Sequence, residues 1–222
     1  MKRREFTAAL SVPLLPTVAR AGLSEGDAAA GVRVVLERGA LAAVALLGRT
    51  DGFLGNPQVR IPLPGFLKDA AKLLRAIGQG RKLDELVTAM NRAAELAVPV
   101  ARPLFLSTVK AMSVEDALKV VRGGTTSLTD YFAGKTRAPL SEQFLPIVTQ
   151  ATEKVSLATR YNAVAGKAQS LGLLKGDESN VQQYVTSRAL DGLFLMIGEE
   201  EKKIRADPVK TGSAILKKVF GR

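Results

Sequence analysis

Val32, Val35, Leu36, Leu41, Val44 and Leu47 lie along one helical stripe behind the cap candidate Ser24, and the same spacing returns along most of the chain. A helix turns once in about 3.6 residues, so this pattern gathers apolar groups on one face; a half-buried strand would alternate at every second residue. A chain so patterned folds by packing helices together. Composition agrees: aromatic residues make up only 5%, and Ala, Leu, Val and Lys predominate, which points away from sandwiches and barrels.

Punctuation divides the stripe. Gly31 and Gly39 weaken the first helix and Gly48 closes it. Asp51 to Pro64, with Gly52, Gly55, Pro57, Pro62 and Pro64, reads as an irregular loop of unusual apolar content. Further helices are predicted over Phe66–Ile77, Leu83–Val98, Leu104–Met112, a segment capped by Ser113 and ended by Gly123-Gly124, Thr125–Phe132, Ser141–Ala158, Tyr161–Leu171 and Val181–Arg205. A last amphipathic segment follows Pro208, with Ile215, Leu216, Val219 and Phe220 opposite Lys217 and Lys218. The expectation is an all-α, single-domain bundle of roughly eight to ten helices over residues 22–222, without a sustained heptad or an internal repeat.

Residues 1–21 read differently. Arg3-Arg4-Glu5-Phe6, an apolar stretch from Thr7 to Val18 and Ala19-Arg20-Ala21 have the layout of a cleavable export signal of twin-arginine type, the general secretory route being the alternative. Pro13 and Pro16 disfavour a plain first helix, and the stretch falls short of the roughly 20 apolar residues that span a bilayer. Cleavage after Ala21 and a periplasmic location are expected. The 32 basic and 21 acidic side chains give a net charge of +11; four and one of them lie in the leader, so the mature chain carries +8. Such a surface suits an anionic membrane or an acidic protein. Nucleic acid is not expected, because the basic residues are dispersed with few aromatics among them and export separates the chain from that partner.

The chain has no Cys, His or Trp. The usual metal ligands and the histidine base of most nucleophilic sites are therefore missing, so no enzyme, metal or cofactor is expected. Glu199-Glu200-Glu201 reads as a solvated helix face, since consecutive helical residues diverge by about 100°. Ser107 and Lys110 have only the bare S-x-x-K spacing, and Tyr131 with Lys135 lacks any dinucleotide fingerprint. Gly123-Gly-Thr-Thr126 reads as a helix stop followed by caps. Asn91, Glu95, Asp116, Asp191 and Arg205 are polar residues set in apolar helices, and a network tying helices together is expected of them.

The stretch Gly52–Pro64, Asn91–Glu95, Ser113–Ala117, Gly123–Thr126 with Tyr131 and Phe132, and Tyr184 through Asp191–Phe194 to Glu201–Arg205 together resemble a family of exported proteobacterial proteins described as a domain of unknown function. The resemblance runs from about Leu23 to Gly221 and implies an all-helical envelope protein without implying an activity. The functional expectation is a non-enzymatic periplasmic binding protein, a carrier of a lipid or other hydrophobic molecule. Its apolar pocket or cleft would draw on Phe53, Leu54, Ile61, Leu63, Phe66, Phe105, Tyr131, Phe132 and Phe194. The alternative is an envelope interaction or scaffold module with a cationic docking surface. For Lys210 to Arg222, docking onto the domain competes with lying on an anionic membrane.

Overall fold

Ser24 opens the first helix with a reciprocal cap: its Oγ accepts from the Asp27 N–H at 3.0 Å, while its own N–H donates to Asp27 Oδ2 at 3.3 Å. This computed structural model describes residues 24–67, 71–72, 75–121, 123–155, 158–159, 161–163, 180–208 and 210, the side chains of Phe66 and Val121 excepted. Every regular element among these residues is helical. The α-helices are α1 (Glu25–Leu47), α2 (Gly80–Ala97), α3 (Ala101–Ala111), α4 (Val114–Val121), α5 (Ser127–Thr152) and α6 (Val181–Ala206), with 3-10 turns at Gly65–Leu67 and Val98–Val100.

Six α-helices are thus described, where eight to ten were expected. Most of the Thr125–Phe132 and Ser141–Ala158 segments belongs to one helix, α5, which runs through Pro139 and Pro146 and ends at Thr152. Each proline denies a donor to the carbonyl four residues back, here that of Lys135 and of Glu142. Both of those residues are exposed, so water can serve the orphaned oxygens and the helix continues. Of the expected Phe66–Ile77 helix, the 3-10 turn and helical residues at 71, 72, 75 and 76 are described. Most of the Tyr161–Leu171 helix, the leader and the segment after 210 lie outside the described residues.

α5 touches every other α-helix, α1 touches α3, α4, α5 and α6, and α5 and α6 form the most extensive helix pair. Small residues let α1 pack among its neighbours: Ala28, Ala29, Gly31, Gly39, Ala40 and Ala43 are all buried. One apolar cluster spans every α-helix and includes Phe53, Val59 and Ile61 from the loop between α1 and α2. That loop turns sharply at Asp51, whose φ of 63° is left-handed, and at Gly52, where a Cβ would lie 2.4 Å from the Leu47 carbonyl oxygen. Only glycine fits there.

The loop is seated on α6 at a second glycine. A Cβ on Gly192 would stand 2.9 Å from Phe53 Cε1 and 3.1 Å from Val59 Cβ. Alanine is the better helix former by about 1 kcal/mol, but crowding a packed core costs about 1–3 kcal/mol. Gly192→Ala is therefore expected to lower stability by about 1 kcal/mol, and Gly192→Val by more, in urea unfolding followed by circular dichroism. An alanine variant more stable than the parent would show that the loop does not press on α6.

Candidate functional site

Two polar side chains of α2, one turn apart, hold the apolar loop. Asn91, fully buried, accepts from the Ile61 N–H at 2.8 Å and donates through Nδ2 to the carbonyls of Ile61 at 2.9 Å and Val87 at 2.8 Å. Glu95 Oε1 accepts from the N–H groups of Phe53 at 3.0 Å and Leu54 at 3.1 Å. Its other oxygen takes Arg92 at 2.7 Å, and Arg92 reaches Asp51 at 2.8 Å. The hydrogen bond to Glu95, then that to Asp51, holds the Arg92 guanidinium above its ordinary pKa, outweighing desolvation. On the far side, the Tyr184 hydroxyl donates to the Pro62 carbonyl at 3.1 Å.

The remaining polar residues form separate nodes. Arg205 donates from Nε to Glu201 Oε1 at 2.9 Å and reaches Ser127 Oγ at 3.3 Å. Asp116 accepts from the Tyr131 hydroxyl at 3.0 Å, and its N–H donates to Ser113 Oγ at 3.0 Å. Hydrogen bonding to Ser113, then to Tyr131, holds the Asp116 carboxyl below its ordinary pKa; burial first, and Asp116 second, raise that of Tyr131. Asp191 is paired with Arg137, and with Arg188 at 3.2 Å. Only Asn91 and Glu95, of the five polar candidates, share a node. The expected network is several local ties.

Glu201 departs from the solvated acidic face expected of Glu199-Glu200-Glu201. Glu199 and Glu200 do pair outward, with Lys202 at 2.8 Å and Lys203 at 2.6 Å, and the Lys202 hydrogen bond depresses the Glu199 pKa. Glu201 turns inward and is 2% exposed. It accepts from the N–H groups of Leu128 at 3.3 Å and Thr129 at 2.9 Å and from Thr129 Oγ1 at 2.6 Å. The visible signal was its register, four residues after Ile197 and three before Ile204, both buried.

The apolar candidates divide. Phe53, Ile61, Phe105 and Phe132 are buried in the core; the Phe105 ring centre lies 4.7 Å from that of Phe132 and 6.3 Å from that of Phe194. They fill the bundle and line neither of the two grooves described here. Leu54 and Tyr131 are half-buried beside the ties already described, and the Phe66 side chain lies outside the described residues. Two candidates do face open space. Phe194 lines a groove of about 330 Å³ between α5 and α6, whose walls also carry Asp130, Arg137, Asp191, Glu199 and Lys202. Leu63 lines a cleft of about 620 Å³ between the loop and α2.

This second cleft combines two chemistries. Pro57, Pro62, Leu63, Ala71 and Val87 give an apolar surface; Arg60, Lys72 and Arg75 supply positive charge, and none of the described lining residues is acidic. Its volume lies within the usual 300–1,000 Å³ or so of small-molecule sites. The tie from Asn91 to Ile61 fixes the loop wall beside Arg60. The arrangement can bind; elsewhere among the described residues, the buried carboxylates Glu95 and Glu201 are each occupied by backbone amides and an arginine.

No curated protein and no solved structure matches the chain. A family described as protein of unknown function (DUF4197) matches residues 22–221, nearly the whole length and the span over which the sequence motifs suggested such a family. The chain belongs to this family.

Proposed function

We propose that this chain is a non-catalytic binding protein of the bacterial envelope that takes up a lipid or similar hydrophobic molecule. The observation that carries the reading is the loop–α2 cleft, a largely apolar surface of ligand size and the roomier of the two grooves described above. Three features support it. The wall is preorganised by Asn91 and Glu95, which lowers the ordering cost of binding. The buried carboxylates are committed to structural hydrogen bonds and so are poor candidates for proton transfer. The leader-like layout of residues 1–21 favours a ligand drawn from envelope components. Among the described residues no helix is long and apolar enough to cross a membrane.

Purification of the protein from its native envelope, solvent extraction and mass spectrometry test this reading. A stoichiometric hydrophobic species, on a chain whose N-terminus is Gly22, is expected. A protein that carries none and takes up no added lipid would overturn the carrier role. An uncleaved chain found in the cytoplasm would overturn the location.

A further inference from the structure

The two grooves differ in charge, and that difference selects a ligand class. The α5–α6 groove carries Asp130, Asp191 and Glu199 on its wall, and its cations Arg137 and Lys202 are already paired with Asp191 and Glu199, so it offers an anion no net positive charge. The loop–α2 cleft has basic residues and no acid among its described lining. Resting on the hydrophobic-ligand reading above, we propose that this cleft binds an amphiphile with an anionic headgroup, of the phosphate or carboxylate type. The head is held by Arg60 and Arg75 and the tail lies over Leu63, Ala71 and Val87.

Geometry and exposure support the assignment. Arg60 directly precedes Ile61, whose N–H and carbonyl are both held by Asn91, so its backbone is fixed at the cleft. Arg75 is paired with Asp84 at 2.6 Å, but both side chains are more than half exposed, at 54% and 63%. An exposed pair of this kind contributes little to stability and exchanges readily for another anion. A guanidinium offers parallel N–H donors that match two oxygens of a phosphate or carboxylate. Leu63 and Val87 are partly buried against the main core, so a tail laid on them would extend apolar surface already in place.

Calorimetric titration of the mature chain with dodecyl phosphate, dodecyl maltoside and inorganic phosphate, all below micellar concentrations, tests the proposal. Methyl NMR would locate the site. Dodecyl phosphate is expected to bind at least about tenfold more tightly than the maltoside, with inorganic phosphate far weaker. Methyl shifts should fall at Leu63, Ala71 and Val87. The Arg60→Gln/Arg75→Gln double variant, altered only at the rim, should lose the preference while keeping its affinity for the maltoside.

Equal binding of the two amphiphiles would overturn the anionic headgroup and leave the hydrophobic-ligand reading standing. Inorganic phosphate binding as tightly as dodecyl phosphate would show a plain anion site and overturn the amphiphile. Methyl shifts at Ala133 and Leu195 instead would move the site to the other groove and sink the assignment. Failure of every amphiphile to bind would remove both readings.

Discussion

Glu95→Ala is expected to lower the unfolding free energy by about 3–5 kcal/mol, because the substitution removes the acceptor of two loop donors and one partner of Arg92 at once. Glu95 is 4% exposed and takes the N–H groups of Phe53 and Leu54 on a single oxygen. A buried donor left without a partner costs about 1–3 kcal/mol, and here the buried Phe53 N–H and the part-buried Leu54 N–H both lose theirs while Arg92 loses one of its two carboxylates. At roughly 2–4 °C per kcal/mol for a chain of this size, the melting temperature should fall by about 10 °C. Glu95→Gln keeps an acceptor for the loop but turns an amide toward Arg92, so it should lose about half as much. Hydrogen exchange separates loop release from global loss: the amides of Phe53, Leu54 and Ile61 should exchange faster in Glu95→Ala than those in the middle of α1. A loss below about 1 kcal/mol, with those amides still protected, would mean that water or another acceptor serves the loop.

The same tie shows where single-sequence reading stops. Periodicity and capping made much of the helical framework legible: Ser24 caps α1 as its side chain suggested, and α6 starts after Asn180, which accepts from Gln183 N–H at 2.7 Å. Asn91 and Glu95 were visible as polar residues in an apolar helix, and the loop as an apolar stretch where loops are usually wet. Their partnership was not visible. It joins residues 30 and 42 apart, and no local propensity encodes such a distance. The continuity of α5 between Phe132 and Ser141 is hidden for the opposite reason: Pro139 and Pro146 are strong local breakers whose effect is overridden when the freed carbonyls belong to exposed residues. The apolar candidates were chosen by type, and type does not distinguish a core phenylalanine from a pocket wall. Of the two linings, the sequence candidates include Leu63, Phe194 and Asp191 but no residue that pairs them into a groove, because a groove is the shape left over when helices have packed.

Glu201→Ala is expected to cost as much as the loss of Glu95, about 3–5 kcal/mol, by a different route. The N-cap residue of α5, Thr126, makes no side-chain cap; the Ser127 N–H turns back to the Gly124 carbonyl at 3.2 Å, and those of Leu128 and Thr129 look beyond the helix for an acceptor. Glu201 serves them from α6, accepting at Leu128 and Thr129 and adding the Thr129 hydroxyl. A carboxylate at this end is also favoured by the helix dipole, by about 0.3–1 kcal/mol or more when desolvated. Arg205 completes the node by bonding both Glu201 and Ser127, whose hydroxyl donates toward the Val120 and Gly124 carbonyls at the end of α4. If capping is the main role, Arg205→Met should cost clearly less than Glu201→Ala, and Thr129→Val about 1–1.5 kcal/mol for its single bond. A double-mutant cycle of Glu201 and Arg205 would then show only partial rescue, because removing both charges still leaves the Leu128 and Thr129 amides unpaired. Full rescue in the double variant would make the ion pair, not the cap, the reason for the buried carboxylate. Retention of the parent's stability in Glu201→Ala alone would show that α5 begins without help from α6.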